Sequence, residues 1–298
     1  MQNTSILVLA LSSLSSLALA GPAPVVGGTT VPAHAYPDAV AVLAADAACT
    51  GTLIAPDLVL TAGHCIGVNP VEVIVDTIDY ASAGGEVIKV KSARAYPDWE
   101  KQYDVGIITL EHAAKATPRP IAAACTAKDL VNNATVRVVG FGLTTKTGTG
   151  DNSKLHTALL PVTDASCVDD PSCQVAVAPD GEFTAGGQGT DACFGDSGGP
   201  IYIGIGSAAS LIGVVSRGLA LPGNPCGNGG VYVRADAVAA WIEKTTGEKL
   251  TRTTCEGAGD GEATAPAQGG GCDAGAGGAG LGALAIALGL ARVRRRTA

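Results

Sequence analysis

Hydrophobic residues are distributed along this chain in short runs that are separated by turn-forming residues. Most of the runs are rich in Val, Ile, Leu and Thr, which is typical of β-strands. A first set of predicted strands comprises residues 39–43, 58–61, 71–76 and 105–110. After a connector that contains Pro118 and Pro120, a second set comprises residues 135–141, 155–162, 200–205, 211–216 and 230–234. Residues 235–246, which include Trp241 and Ile242, predict a closing helix.

Composition supports a fold built from short strands. The 298 residues are 47% hydrophobic, which is enough for a sizeable core, although only 4% are aromatic. The 41 glycines and 16 prolines suit many strands joined by turns better than a helical bundle. The net charge of -8 argues against a nucleic-acid-binding surface, because phosphate contacts require clustered Lys and Arg.

The two ends of the chain differ from its middle. Residues 6–20 form an apolar run that ends in the small-x-small pattern Ala18-Leu19-Ala20, which predicts a signal peptide over residues 1–20. The alternative is a buried first strand. Export would leave a short propeptide at residues 21–24 and would place the protein in an oxidising compartment, where disulfides form.

At the other end, we assign residues 249–271 to a linker, because from Cys255 onward the composition changes to Gly, Ala and acidic residues that cannot bury enough apolar surface to fold. Residues 272–298 begin with Cys272, continue through a weakly apolar stretch and end in an arginine cluster, a stop-transfer pattern. This segment resembles sorting tails of the MYXO-CTERM type. The resemblance implies a bacterial protein, secreted or carried to the cell surface, whose only membrane contact is the tail and whose Cys272 is a processing or attachment site. The alternative is an extension with an incidental apolar patch.

The chemistry is concentrated at residues 191–200, whose sequence is DACFGDSGGP. A serine such as Ser197 is a poor nucleophile unless an imidazole accepts its proton and a carboxylate orients that imidazole. The chain offers His64 within TAGHC and Asp104 within DVGIITL. The segment GDSGG also fits the nucleophile elbow of α/β-hydrolases, but in that fold the catalytic histidine follows the serine. All four histidines here precede Ser197, which excludes that alternative.

These motifs, in the order His, Asp, Ser, resemble those of the trypsin/chymotrypsin family of serine proteases. The resemblance runs from Val25 to the Trp241 region and implies a protease domain over residues 25–248. It implies two antiparallel six-stranded β-barrels followed by a C-terminal helix. It also implies a catalytic triad of His64, Asp104 and Ser197, with an oxyanion hole formed by the backbone N–H groups of Gly195 and Ser197.

The resemblance extends to activation and substrate choice. Val25 resembles the family's mature amino terminus, which pairs with an aspartate beside the nucleophile, here Asp196. The substrate-binding positions implied are Asp191, Ser216, Gly218 and Gly230. A carboxylate at Asp191 implies cleavage after Arg or Lys, and a chymotrypsin-like apolar preference is the alternative.

One position departs from the family pattern, because Arg217 occupies a site that is usually aromatic. Its cation could repel basic substrate residues, select acidic ones, or turn toward Asp191 and neutralise it.

Nine cysteines are present, an odd number. The resemblance implies the pairs Cys49–Cys65, Cys167–Cys173 and Cys193–Cys226. Cys125 and Cys255 could form a further pair, which would leave Cys272 over.

The sequence contains no nucleotide-binding loop and no zinc-ligand spacing, so we expect no cofactor and no obligatory metal. The expected partners are protein or peptide substrates, and the expected state is a monomer. The competing class is a non-catalytic binding module built on the protease fold.

Overall fold

Two β-barrels dominate the computed structural model, which describes residues 24–219 and 221–255. The predicted signal peptide, residues 21–23 of the propeptide, the linker beyond residue 255 and the tail with Cys272 lie outside the described residues. No helix within the described part of the chain has both the length and the apolar character needed to cross a membrane.

The first barrel is closed by six antiparallel strands in the order β2-β3-β4-β7-β6-β5. Its strands are β2 (Ala39–Leu43), β3 (Ala48–Ala55), β4 (Leu58–Thr61), β5 (Glu72–Val75), β6 (Glu86–Ala95) and β7 (Gly106–Leu110). Three short helices occur outside this barrel's strands: α1 (Pro24–Gly27), α2 (Gly63–Gly67) and α3 (Ala124–Ala127).

The second barrel contains six strands, and pairing between its first two strands in chain order closes it. The two-residue strand β1 (Thr29–Thr30) pairs with the second of them. Its strands are β8 (Thr135–Gly140), β9 (His156–Asp164), β10 (Glu182–Ala185), β11 (Pro200–Ile203), β12 (Ser210–Gly218) and β13 (Gly230–Arg234). A short 3₁₀ helix, Gly206–Ala208, precedes β12, and helix α4 (Ala235–Thr246) follows β13. The predicted architecture of two six-stranded barrels and a C-terminal helix is confirmed.

Side-chain alternation along β2 shows how the barrels pack. Val40 and Val42 belong to the apolar cluster inside the first barrel, whereas Ala39 and Ala41 belong to a separate cluster that includes residues of both barrels. Successive residues of a strand point to opposite faces, so this strand is buried on both sides. The apolar run 39–43 is therefore continuous, and the small alanines face the neighbouring barrel.

Four disulfides connect the described residues. They are Cys49–Cys65, Cys125–Cys255, Cys167–Cys173 and Cys193–Cys226. Three are the pairs that the resemblance implies. The fourth, Cys125–Cys255, is the pair that the sequence suggested only as a further possibility, and it joins the chain between the barrels to the segment after α4. The first disulfide joins β3 to α2, and the last joins the Ser197 segment to the chain before β13.

Candidate active site

The first barrel positions His64 and Asp104 close together. His64 lies in α2, whose neighbouring Cys65 is tied to β3 by a disulfide. Asp104 lies two residues before β7 and is mostly buried. Its Oδ1 accepts the backbone N–H of His64 at 3.0 Å, and its Oδ2 lies 2.9 Å from His64 Nδ1. These two contacts fix both the helix turn and the plane of the imidazole.

Ser216 of the second barrel supports the same carboxylate. Its hydroxyl donates to Asp104 Oδ2 at 2.8 Å. Burial by itself would raise the pKa of Asp104, but the hydrogen bonds with His64 and Ser216 and the charge of His64 hold that pKa below its usual value. Asp104 is therefore ionised at neutral pH and accepts the Nδ1 proton of His64, which leaves Nε2 as the ring nitrogen that can accept a proton.

Ser197 and His64 line one cavity of about 290 Å³ between the barrels. Among the described residues no hydrogen bond of 3.5 Å or less joins the hydroxyl of Ser197 to the imidazole. Catalytic hydrogen bonds of this kind are often long in the absence of substrate. The two side chains predicted to be nucleophile and base therefore face the same space.

Two peptide planes near the nucleophile, Phe194–Gly195 and Asp196–Ser197, are held in a fixed orientation. The carbonyl of Phe194 accepts the N–H of Leu143 at 2.8 Å, and the carbonyl of Asp196 accepts the N–H of Gly199 at 2.8 Å. In a trans peptide the N–H points away from the carbonyl. The following N–H groups, of Gly195 and Ser197, consequently point away from these bonds, and neither donates to a group in the described part of the chain. Two free backbone donors two positions apart can bind an oxyanion.

Sequence analysis missed Thr50, which ties the same loop to the first barrel. Its hydroxyl donates to the carbonyl of Gly195 at 2.7 Å and accepts the N–H of Phe141 at 3.1 Å. Its own N–H donates to the carbonyl of Ser197 at 2.9 Å. The approach is so close that a Cβ on Gly198 would lie 2.0 Å from Thr61 Oγ1, so only glycine fits.

Asp196 is buried completely and has no cationic partner among the described residues. Its carboxylate accepts the N–H groups of Gly142 at 2.7 Å and Cys193 at 2.8 Å. Burial raises the pKa of Asp196 to about 7, although those two hydrogen bonds act in the opposite direction. Val25 is also fully buried, and its φ of 44° is strained for a β-branched residue.

The predicted substrate-binding residues divide into two groups. Ser216 and Gly218 line the 290 Å³ cavity, whereas Asp191 and Gly230 do not. Asp191 is 1% exposed, and its carboxylate accepts the N–H groups of Gly227 and Gly229 and the hydroxyl of Tyr232. Burial raises the pKa of Asp191 to about 6. Ala192, the next residue along the chain, does line the cavity.

Arg217 forms an ion pair with Glu182, which sequence analysis did not single out, and not with Asp191. Two guanidinium nitrogens lie 2.7 and 2.9 Å from the two carboxylate oxygens of Glu182. The guanidinium also donates to the carbonyl of Ser172 at 2.6 Å and to the hydroxyl of Ser216 at 3.1 Å. Of the three effects considered from the sequence, neutralisation of Asp191 is the one that this pairing does not support.

Two groups of potential metal ligands occur within the described residues. They are Cys49, His64 and Cys65, and Cys167, Cys173 and Glu182. All the cysteines in both groups are in disulfides, so their sulfurs are not the thiolates that bind metals. Neither group is a metal site while these disulfides are intact.

Comparison with known proteins agrees with this geometry. A family model described as Trypsin matches residues 25–242. A trypsin of Saccharopolyspora erythraea is 33% identical over 72% of this chain and 94% of its own length. Glucanase inhibitor protein 1 of Phytophthora sojae is 30% identical over 73% of this chain and 87% of its own length. Serine protease 1 of Rattus norvegicus is 28% identical over 79% of this chain and 98% of its own length. This chain therefore belongs to the trypsin family of serine proteases.

Proposed function

We propose that this protein is an exported serine endopeptidase that hydrolyses peptide bonds through an acyl-enzyme. The observation that carries the proposal is that Ser197 and His64, whose imidazole is held by Asp104, line one cavity, and that the N–H groups of Gly195 and Ser197 are free. An ionised, hydrogen-bonded carboxylate, an imidazole with a free Nε2 and a serine hydroxyl are the groups that acyl transfer requires.

In this mechanism Ser197 Oγ forms a bond to the carbonyl carbon of the substrate while its proton passes to His64 Nε2. The carbonyl oxygen becomes an oxyanion, which the N–H groups of Gly195 and Ser197 stabilise. The carbon–nitrogen bond then breaks as His64 gives its proton to the leaving amine. Water, activated by His64 in the same way, hydrolyses the resulting ester, and Asp104 stabilises the charged imidazole in both stages.

We propose that the enzyme cleaves after Arg or Lys. Support comes from Asp191, a carboxylate adjoining the wall of the cavity at Ala192, and from Gly218, which leaves that wall without a side chain. The alternative is an apolar, chymotrypsin-like preference, because Asp191 is buried and the cavity is lined by Val215, Pro225 and the Cys193–Cys226 disulfide. A peptide-library cleavage profile distinguishes the two preferences.

Activation is proposed to require cleavage before Val25. A buried carboxylate without a counter-ion is costly, and a new ammonium group at Val25 would supply one for Asp196. Cleavage would also abolish the strained φ of Val25, since that angle exists only while Pro24 is attached. The residues Gly21-Pro22-Ala23-Pro24 are two X-Pro dipeptides, which suits stepwise removal by a dipeptidyl peptidase. Mass spectrometry of the amino terminus tests this, and full activity in a chain that starts at Gly21 would refute it.

We propose that residues 1–20 direct export and that the tail at residues 272–298 either retains the protein at the cell surface or releases it. The protein then acts as a monomer on protein or peptide substrates. The four disulfides support an oxidising compartment. Fractionation of the native host, with an antibody against residues 25–248, tests the location. Recovery of the protein in the cytoplasm, with its leader intact, would contradict export.

A second candidate is a non-catalytic binding module, which one relative's name favours because that relative is called a glucanase inhibitor. A fluorophosphonate probe separates the two functions, because it reacts covalently only with an activated serine. We expect wild-type protein processed to Val25 to be labelled and Ser197→Ala to remain unlabelled. Failure of processed wild type to react would favour the binding module.

A further inference from the structure

The guanidinium of Arg217 lies one hydrogen bond away from the group that supports Asp104. It donates to Ser216 Oγ at 3.1 Å, and Ser216 Oγ in turn donates to Asp104 Oδ2 at 2.8 Å. We propose that Arg217 is a positioning residue for the triad, which acts by orienting the hydroxyl of Ser216 toward Asp104. The inference rests on the proposed catalytic function of that triad.

The direction of these hydrogen bonds follows from the chemistry of the groups. A guanidinium has only donors, so Ser216 must accept from Arg217. A hydroxyl has one proton, and with Arg217 placed against its lone pair that proton is directed to Asp104. Without Arg217 the Ser216 oxygen would lose this donor, and its hydroxyl would be held by Asp104 alone. Arg217 thereby restricts Ser216 to the orientation that stabilises the ionised carboxylate.

Two further contacts hold the guanidinium in place. Glu182 of β10 is fully buried and binds it with both oxygens, and the same carboxylate accepts the N–H of Gln174 at 2.7 Å. The guanidinium also donates to the carbonyl of Ser172, which lies in a loop closed by the Cys167–Cys173 disulfide. Two separate segments therefore fix a side chain that is 31% exposed. A planar fork held in this way has a defined orientation, unlike a solvated surface arginine.

The same pairing argues against direct selection of acidic substrate residues by Arg217. Its positive charge is balanced by Glu182 at bidentate distance, and two of its nitrogens donate to the backbone carbonyl of Ser172. A substrate carboxylate would have to compete with a fully buried partner that has no other cation within the described residues. The effect of Arg217 is consequently expected in turnover rather than in substrate affinity.

A double-mutant cycle tests the inference. Arg217→Met alone would leave the buried carboxylate of Glu182 unpaired and could prevent folding, so Arg217→Met is combined with Glu182→Gln. This pair of changes is made in wild type and in Ser216→Ala, and kcat and KM are measured per fluorophosphonate-reactive site. Arg217→Lys, which keeps a charge opposite Glu182 but lacks the planar fork, is carried through the same cycle.

We expect the combined change to lower kcat about tenfold in wild type with little change in KM, the size typical of one hydrogen bond to a charged group. In the Ser216→Ala background the same change should have less than about a twofold effect, because the hydroxyl that it acts through is absent. Arg252→Met with Glu243→Gln removes an exposed ion pair of the same type and should leave kcat unchanged.

The contrary outcomes are distinct. Equal losses of kcat in both backgrounds would show that Arg217 acts on the fold and not through Ser216, and would overturn the inference. A rise in KM with unchanged kcat would show a substrate contact and would also overturn it. If processed wild type neither reacts with the probe nor turns over substrate, the proposed function fails, whatever the variants do.

Discussion

Asp191 illustrates how burial sets the behaviour of a single residue. Its carboxylate has three hydrogen-bond donors within the protein but is 1% exposed, and burial raises its pKa to about 6. The charged form is therefore present above pH 6 and is lost as the pH falls through that value. If this carboxylate binds the substrate's Arg or Lys, preference for basic residues must itself depend on pH.

We predict that the kcat/KM ratio of an Arg substrate to a matched Tyr substrate falls about tenfold between pH 8 and pH 5. At one pH unit below its pKa only about a tenth of the Asp191 side chains are charged. Taking the ratio cancels the titration of the triad and of Asp196, which affect both substrates alike. Asp191→Asn serves as the control, because its ratio should be lower at pH 8 and independent of pH. A ratio that stays constant in wild type would contradict a role for Asp191 in binding basic residues.

At the scale of elements, the oxyanion loop depends on a strand of the other barrel. Thr50 of β3 uses its hydroxyl to bind the Gly195 carbonyl and the Phe141 N–H, and its N–H to bind the Ser197 carbonyl. Thr50 itself is fully buried, so water cannot replace these bonds. The loop that carries both proposed oxyanion donors is thus fastened to β3 as well as to its own barrel.

We predict that Thr50→Val lowers kcat about tenfold and the free energy of unfolding by about 1–3 kcal/mol. Valine has nearly the same shape but removes the hydroxyl partner of the Gly195 carbonyl and leaves the buried Phe141 N–H without its acceptor. Thr50→Ser keeps the hydroxyl and is the matched control, so it should retain most of the turnover. Urea unfolding and active-site-normalised kinetics measure the two effects. Loss of stability with unchanged kcat would show that β3 supports the fold but does not position the loop.

The strands also show which elements local sequence can predict. The predicted bounds of β2, β4, β13 and α4 equal the observed ones, because each is a continuous apolar or amphipathic run. Strand β3 was missed because Gly51 interrupts it, yet a Cβ there would lie 2.6 Å from a methyl group of Val59, so packing requires the glycine. Strand β6 was missed because most of its residues are exposed and several are charged. Its place in the barrel comes from pairing with β5 and β7.

For the site, motifs predicted the residues that carry chemistry but not those that hold them. His64, Asp104 and Ser197 occur in recognisable local sequences, whereas Thr50 meets Gly195 across 145 positions and Arg217 meets Glu182 across 35. No local pattern marks such partners, because their roles follow from how distant strands pack. The one signal available was an acidic residue in a short strand, Glu182, because a buried carboxylate requires a cationic partner elsewhere in the chain.

At the scale of the whole molecule, the proposed triad needs both barrels in a fixed relation. His64 and Asp104 belong to the first barrel and Ser197 to the second. A buried cluster joins the barrels away from the cavity: Arg119 of the connector binds both oxygens of Asp38, at 2.6 and 3.0 Å, and stacks on the ring of Tyr202. The Tyr202 hydroxyl donates to Asp38 at 2.6 Å. Asp38 precedes β2 and Tyr202 lies in β11, so the cluster links the two barrels through one carboxylate.

Because Asp38 is 1% exposed, the loss of its cation should cost far more than the loss of its neutral partner. We predict that Arg119→Met lowers the free energy of unfolding by about 3–5 kcal/mol, since it leaves an uncompensated buried charge. Tyr202→Phe removes one hydrogen bond and keeps the stacked ring, so about 2 kcal/mol is expected. Urea unfolding of the Ser197→Ala form, which cannot digest itself, measures both losses. At a temperature where every variant is folded, kcat in the active form should fall in the same order, because the distance between His64 and Ser197 depends on how the barrels meet. Equal kcat values across the series, despite the loss of stability, would show that the barrels keep their relation without this cluster.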